Sequence, residues 1–375
     1  MAPRRRQCAA MQEYERLLEE QPSFRGNQQR AEAFTARAVM SGEAERVARR
    51  MVTIPVVFHV VHRTPAEDLS AAQLQSQLDV LNRDFRATNP DTSKVPAPWQ
   101  GLVADAKIEF RLARRDPSGK KTDGIVRVPT ERRSFGPGDD VKRAGRGGSV
   151  AWPADAYLNI WVCTLGGGLL GYAQFPGGPK ATDGVVVLNT AVGTEGTAAA
   201  PFDGGRTLTH EIGHWLNLRH IWGDTLDCSG GDRVPDTPNC EGPNTGQPTF
   251  PVITCSNGPH GGMFMNYMDY VDDAAMFMFT AGQVTRMNAC LAGPRKSFAP
   301  ARGATTSPAG GCTCTRRTPT GRWCSARSAP SCPRRVAGSR SSCGRTAPSP
   351  SPASARPTRP RRPAAAGTSP TTPSR

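Results

Sequence analysis

The chain has 375 residues and is 37% hydrophobic, which is enough to bury one good-sized core plus additional segments. Its formal net charge of +15 suggests a nucleic-acid-binding protein until the charge is located. Residues 301–375 contain 14 Arg and no Lys, Asp or Glu, which leaves +1 for residues 1–300. Nucleic acid is therefore not expected as a partner. No apolar run approaches the roughly 20 residues that span a bilayer, so no membrane span is expected.

Residues 1–50 are charged and poor in core-forming side chains. They begin with Met-Ala-Pro-Arg-Arg-Arg and lack an apolar h-region, so no signal peptide is visible. Two polar helices are predicted at about 10–20 and 28–48, before a dibasic Arg49-Arg50 pair. This composition favours a pro-segment over an independent domain.

A β-α-β-β-β order is predicted from residue 52 to about residue 190. An apolar run at 54–61 predicts a strand buried on both faces, and further strands are predicted at 107–112, 157–162 and 184–188. Ser70 and Gln73 form a capping box that opens a helix, whose buried stripe is Leu74, Leu78, Leu81 and Phe85.

Some residues in this region are interpreted without a chemical role. His59 and His62 are interpreted as structural residues of the first strand, and Cys163 as a buried thiol. The glycines at 166–171 are interpreted as a loop rim rather than a phosphate cradle, because no helix-opening Gly-Lys-Ser/Thr follows them.

The segment at 207–220 carries the strongest chemical signal, with three of the six histidines in the chain. On a helix, His210 and His214 present their rings to one side, and Glu211 lies beside them. The apolar residues Leu208, Ile212, Trp215 and Leu216 gather on another side. This H-E-x-x-H pattern binds zinc and supplies a general base.

Zinc also needs a third protein ligand, for which His220 is the first candidate. A continuous helix would carry His220 to the wrong side, so the chain must turn after His214. Asn217 tolerates the positive φ that such a turn favours. A gluzincin-type peptidase, with Glu241 as third ligand, is the alternative enzyme. A zinc-stabilised binding module without turnover is the alternative outside enzymes, and it predicts that Glu211 is dispensable.

Residues 221–300 are predicted to be mostly loop, with scattered carboxylates that are suited to binding calcium. Thr280 and Gln283 form a capping box that opens a final helix. Four cysteines surround the motif, and their even number suits two disulfides of unspecified pairing in a secreted protein: Cys228, Cys240, Cys255 and Cys290. A second zinc site is the rival interpretation, but none of the four forms a C-x-x-C pair.

Residues 301–375 consist mainly of Arg, Pro, Ser, Ala, Thr and Gly, with five irregularly spaced cysteines. They have too little apolar content to fold, and disorder is predicted. The composition fits either a basic anchor for an acidic surface or a shifted reading frame, and the second interpretation is favoured.

The motif and its surroundings resemble the metzincin zinc endopeptidases, whose pattern is H-E-x-x-H-x-x-G-x-x-H followed by a methionine-containing turn. Asn217 stands where that pattern has glycine. The stretches His214-Trp-Leu-Asn-Leu-Arg-His220-Ile-Trp-Gly-Asp and Met263-Phe-Met-Asn-Tyr-Met-Asp-Tyr270 resemble the pappalysin family, particularly its bacterial, cytophagalysin-like members. The resemblance spans roughly residues 5 to 296.

The resemblance implies several roles. Cys8 would place its thiolate on the zinc of a latent form, Met268 would form an apolar floor beneath the metal, and Tyr270 would support the oxyanion. Calcium would be bound by Asp232, Val234 and Thr237. An extended substrate would lie antiparallel to a sheet-edge strand, which is expected to be the strand at 184–188.

The resulting prediction is a secreted zinc endopeptidase that is made as a latent precursor, acts on proteins or peptides and is monomeric. The predicted fold is α+β of the metzincin type, with a twisted mixed five-stranded sheet, a backing helix, an active-site helix and a loop-rich C-terminal subdomain. The predicted divisions are a pro-segment at 1–50, a catalytic domain at 51–300, whose upper subdomain ends near 220, and a disordered tail at 301–375.

Overall fold

The computed structural model describes residue 3 and residues 5–299, so the predicted disordered tail lies outside the described residues. The helices are α1 (Ala10–Glu20), α2 (Pro22–Met40), α3 (Glu43–Ala48), α4 (Ala71–Asp84), α5 (Ala97–Gln100), α6 (Arg206–Trp215) and α7 (Ala281–Ala292). The strands are β1 (Val52–His62), β2 (Ile108–Leu112), β3 (Ile125–Pro129), β4 (Leu158–Cys163), β5 (Gly171–Ala173), β6 (Val185–Leu188), β7 (Thr245–Gly246) and β8 (Tyr270–Val271).

The main sheet has five strand positions in the order β2-β1-β4-β6-β5, and the strand β3 shares the outer position with β2. The first half of β1 pairs with β2 and its second half with β3, both in parallel, while β4 lies on its other side. The strand β6 is parallel to β4, and β5 is antiparallel to β6. The predicted mixed sheet is therefore confirmed, although it has six strands where five were predicted.

One detail of the predicted sheet is wrong. The strand at 184–188 is interior, because β6 is hydrogen-bonded to β4 on one side and to β5 on the other. The edge strand is β5, which begins at Gly171 inside the stretch that was interpreted as a loop rim. A three-residue strand that follows glycines carries no apolar alternation from which it could be predicted.

Both faces of the sheet are buried, as the continuous apolar run of β1 predicts. On one face, Ile54, Val56 and Phe58 share a core with the active-site helix α6 and with the α4 stripe that was predicted from sequence. Trp161 and Tyr172 belong to a second core on the opposite face. The helix α4 begins after Ser70, whose hydroxyl accepts a hydrogen bond from the backbone of Gln73.

The N-terminal helices pack on the rest of the chain at the β5 edge. The helix α1 contacts β5, and both α2 and α3 contact α7. Leu17 and Phe24 form a small core with Phe175, which follows the edge strand. None of the described helices is both long and apolar enough to span a membrane.

The region after α6 is loop-rich and is closed by one disulfide, between Cys228 and Cys255. The predicted second disulfide is not formed, and Cys240 and Cys290 remain free and buried. Cys240 lies against Gly262 in the loops, whereas Cys290 lies on the buried face of α7. Burial raises the pKa of each thiol to about 12.

Candidate metal centre and substrate cleft

Helix α6 presents the H-E-x-x-H motif and ends at Trp215, after which Asn217 turns the chain with a φ of 76°. The amide of Leu218 donates to the carbonyl of Gly213 at 2.9 Å, which closes the helix end. A side chain at Gly213 would collide with the sulfur of Met268, 2.4 Å from an ideal Cβ. The Met268 side chain therefore lies directly against the helix.

The turn brings three imidazoles together. The Nε2 atom of His214 lies 3.2 Å from that of His210 and 3.1 Å from that of His220, and the third separation is 3.3 Å. A tetrahedral zinc with Zn–N bonds of about 2.05 Å requires N···N separations of about 3.3 Å. The three nitrogen atoms therefore fit a single zinc ion.

The opposite nitrogen of each ring is hydrogen-bonded to a fixed oxygen. The Nδ1 atom of His210 bonds the carbonyl of Tyr267 at 2.7 Å, that of His214 bonds the carbonyl of Leu218 at 2.9 Å, and that of His220 bonds the carboxylate of Asp224. These oxygens accept hydrogen bonds from the Nδ1–H groups and so favour the tautomer with an unprotonated Nε2. The three Nε2 atoms face one another at the centre of the cluster. Burial, followed by the neighbouring imidazoles, lowers the pKa of His210 and His214, which favours neutral, ligating rings.

Glu211 is buried beside the imidazoles and against the edge strand. An ideal Cβ at Gly171 would lie 2.9 Å from the Glu211 side chain, so only glycine leaves room for it. The Sγ atom of Cys8 donates to Glu211 Oε2 at 3.3 Å, and burial raises the pKa of Glu211 to about 8. Its position beside the three nitrogens is where a general base is needed.

The segment around Cys8 fills the cleft between the edge strand and the imidazoles. The Sγ atom of Cys8 and the ligand nitrogens of the three histidines all lie within 4.8 Å of one another. The backbone pairs in parallel with β5, with Leu170 N donating to Gln7 O and Ala9 N to Gly171 O, both at 3.0 Å. The Cys8 sulfur therefore lies between the edge strand and the three imidazoles.

Tyr270 holds this segment from the other side. Its hydroxyl accepts from the Cys8 amide at 3.3 Å and donates to the Cys8 carbonyl at 3.2 Å. Its ring centroid lies 4.9 Å from that of His220 and 5.7 Å from that of His210. The phenol is therefore next to the imidazole cluster.

Two residues before Cys8, Arg6 enters a closed pocket, and its side chain is 1% exposed. The guanidinium donates to Asp273 Oδ1 at 2.5 Å, Thr207 Oγ1 at 3.0 Å and the Val271 carbonyl at 3.2 Å. It also lies 5.0 Å from the ring centroid of Phe202. The pocket is shaped and charged for a guanidinium.

The residues predicted to bind calcium lie together in the loop region. Asp232 accepts from the Thr237 hydroxyl at 2.8 Å and from the Val234 amide at 3.0 Å, and the same hydroxyl donates to the Val234 carbonyl. Burial raises the pKa of Asp232 to about 7. The cluster presents several oxygen atoms, which are the ligands that calcium prefers.

Other candidates lie apart from the centre. Glu241 is exposed and does not belong to the metal-ligand cluster found among the described residues. His59 is buried between Ser149 and Asn159, at 2.8 and 3.0 Å. The free thiol of Cys163 is buried in β4, and burial raises its pKa.

Sequence reasoning misses the pocket around Arg6 and the Asp224 carboxylate that orients His220. Arg6 and Asp273 are separated by 267 positions, so no local pattern could connect them. Asp224 follows His220 by four residues, and that spacing could have indicated an orienting carboxylate.

Comparison with known proteins agrees with this geometry. The M43 peptidase family model, described as Pregnancy-associated plasma protein-A, matches residues 148–292. The extracellular metalloprotease of Verticillium alfalfae is 32% identical over 63% of this chain and 76% of its own length. Extracellular metalloprotease 1 of Coccidioides posadasii is 41% identical over 40% of this chain and 52% of its own.

Two solved structures are similar. Tannerella forsythia mature mirolysin in complex with a cleaved peptide has 50% identity and a TM-score of 0.65, over 66% of this chain and 96% of that one. A Tannerella forsythia promirolysin mutant has 43% identity and a TM-score of 0.71, over 78% of this chain and 97% of that one. The fold and the site define a metzincin-type metalloprotease. The chain belongs to the pappalysin family within that class, and the predicted resemblance is confirmed.

Proposed function

We propose that the chain is the latent precursor of a secreted zinc endopeptidase, in which His210, His214 and His220 hold the metal. The spacing of their three Nε2 atoms is the observation that carries this proposal. When bound, zinc supplies Lewis-acid chemistry, acidifying water and polarising a carbonyl oxygen. The names of the extracellular relatives support secretion.

Glu211 acts as general base: it accepts a proton from the attacking water and passes that proton to the leaving amine. Tyr270, once released from Cys8, donates a hydrogen bond towards the developing oxyanion. Met268 supports the floor of the site by packing against Gly213. The backbone of β5 holds an extended protein or peptide substrate, whose hydrogen-bonding groups replace those of residues 7–9.

Latency follows from the position of residues 1–50. Cys8 places its sulfur at the ligand cluster, where its thiolate would bind the metal in place of water. Arg6, Cys8 and the α1–α3 helices leave together when the segment is cut away. The boundary of the pro-segment at residue 50 remains a prediction.

The pocket around Arg6 selects a basic side chain in the substrate. Asp273 and Thr207 contact the guanidinium in the precursor, and they would contact a substrate arginine in the same way. Because the blocking segment runs opposite to the proposed substrate direction, this pocket takes the residue that follows the cleaved bond. Calcium, bound by Asp232, Val234 and Thr237, stabilises the loop region.

Casein cleavage tests the proposal. The full chain and its Glu211→Ala twin are treated briefly with trypsin to remove the pro-segment and are assayed in zinc and calcium buffer after trypsin inhibition. Cleavage by the first alone is expected. Equal cleavage by both would refute the role of Glu211.

Bound zinc, measured by elemental analysis, tests the ligand set. His220→Ala should lose zinc while Glu241→Ala retains it, and the reverse result would favour a gluzincin-type site. If Glu211→Ala retains both its zinc and the biological function of the chain, the non-catalytic binding module would be the better description.

A further inference from the structure

Three arginines meet beside the turn that follows α6. Arg286 Nε donates to the Asn217 carbonyl at 2.7 Å, and its terminal nitrogen donates to Glu32 Oε1 at 2.5 Å. Arg233 lies 3.0 Å from the other oxygen of Glu32. Arg219, the residue immediately before the third histidine, covers the ring of Tyr14 at 5.4 Å. We call Arg219, Arg233 and Arg286 the arginine cluster.

The groups that cover this cluster belong to the pro-segment. Among residue 3 and residues 5–299, Glu32 is the sole carboxylate within 4.0 Å of Arg233 or Arg286. The Arg286 side chain is 6% exposed, so its charge is paired away from water. When α2 leaves, the cluster loses the carboxylate that it contacts, and Asp232 remains as a longer-range acidic neighbour of Arg286.

The cluster is connected to the metal centre by side chains in contact. The Phe175 ring centroid lies 5.4 Å from that of His214, and Tyr14 lies 5.4 Å from Phe175 on the way to Arg219. Because Tyr14 is itself part of α1, its departure would uncover Phe175 and Arg219 and would leave a groove from the imidazoles to the arginines. Arg6 precedes Cys8 in the chain, whereas Tyr14 follows it. The arginine cluster and the Arg6 pocket therefore lie on opposite sides of Cys8.

We propose that the arginine cluster is a carboxylate-binding subsite, which takes a Glu or Asp side chain of the substrate on the N-terminal side of the cleaved bond. This inference rests on the proposed peptidase function. The pro-segment pairs in parallel with Gly171, so a substrate in the opposite direction places its N-terminal residues over α1 and α2 positions. Guanidinium groups bind carboxylates through paired hydrogen bonds, and Glu32 occupies that place in the precursor.

Quenched fluorescent peptides test the subsite with the trypsin-processed full chain. Each peptide carries one Arg after the cleaved bond and a single Glu, moved through the six positions before it, with Gln at the same position as reference. We expect one position where Glu raises kcat/KM about tenfold over Gln. The preference should shrink in 0.5 M salt, because the site is partly exposed.

Arg233→Gln should reduce the ratio of kcat/KM for the Glu and Gln peptides to about 1, because it removes a charge of the subsite. The side chain is 49% exposed and does not support the core, so the variant should fold. Arg114→Gln is the matched control, since Arg114 is an exposed arginine beyond β2 at the opposite edge of the sheet. It should keep the ratio of the parent chain. Equal rates for Glu and Gln at every position, or a ratio unchanged in Arg233→Gln, would overturn the subsite.

A binding measurement separates this proposal from the peptidase function. In the processed Glu211→Ala chain, which does not depend on turnover, the Glu peptide should bind about ten times more tightly than the Gln peptide by fluorescence polarisation. Cleavage of the Gln peptide with no Glu preference in rate or affinity would refute the subsite alone. A retained affinity ratio with no cleavage by the parent chain would refute the peptidase and leave the subsite supported.

Discussion

Replacing Arg6 by Ala should activate the precursor before it is cut. The Arg6 guanidinium makes one buried ion pair and three further hydrogen bonds in its pocket, to Thr207, Val271 and the Met276 sulfur, and its side chain is 1% exposed. These contacts fix the segment that carries Cys8 two residues later. The variant removes them while leaving the Cys8 thiol and the imidazoles unchanged.

The size of the expected activation follows from the Arg6–Asp273 ion pair. Removing one partner of a buried ion pair costs about 3–5 kcal/mol, because the other charge is left uncompensated. Asp273 keeps hydrogen bonds from the amides of Gly204 and Arg206, so the lower end applies. About 3 kcal/mol corresponds to about a hundredfold shift from the closed towards the open arrangement of the pro-segment.

The assay is hydrolysis of a quenched peptide by the intact, unprocessed chain, followed during the first minutes and checked by gel for absence of cutting. Arg6→Ala should be about a hundred times faster than the parent chain. Arg5→Ala is the matched control, because Arg5 is the adjacent exposed arginine, and it should match the parent. Equal rates for Arg6→Ala and Arg5→Ala would refute the reasoning.

Three further predictions concern specificity, pH and calcium. In the processed chain, Asp273→Asn should lower kcat/KM for peptides with Arg after the cleaved bond by roughly 10–100-fold but change Leu peptides little; a parallel loss would indicate general damage. Burial lowers the pKa of His59 to about 4, and the unfolded imidazole titrates near 6.5. The stability that the buried, neutral His59 ring contributes is therefore fully present above pH 6.5 and is lost as the pH falls towards 4. His59→Gln should remove this loss of about 3 kcal/mol, and an unchanged Tm–pH slope would contradict it. Asp232→Asn should abolish the rise in Tm on calcium addition, and a rise equal to that of the parent would exclude the site.

The candidate metal centre is predictable because its residues are close in sequence. His210 and His214 are one helical turn apart, and His220 follows after a turn that Asn217 makes with positive φ. Spacing, helix period and the conformational preference of one residue are all readable from the chain. The three nitrogens therefore lie where the sequence places them.

The contacts that depend on distant segments are not predictable in this way. Asp273 contacts Arg6 only because the first residues of the chain fold back over the site, and no periodicity in the sequence encodes that contact. An even number of cysteines predicts two disulfides, yet Cys290 is a core residue of α7 and remains a free thiol. Cysteine count carries no information about which side chains the fold brings together.

Under the proposed function, the direction of residues 7–9 explains how one cleft would hold both a substrate and the pro-segment. Residues 7–9 pair with the backbone at Leu170 and Gly171, which the proposed substrate would also use, but they run parallel to the strand. A substrate in the antiparallel direction would bring a peptide carbonyl to the imidazoles and Glu211. The reversed chain instead brings the Cys8 sulfur there, and Tyr270 holds the Cys8 amide and carbonyl on its other side. Residues 7–9 can therefore bind in the cleft without being cleaved. Their reversed direction keeps the hydrogen bonds to the edge strand but places a thiol where a substrate would place its reactive carbonyl.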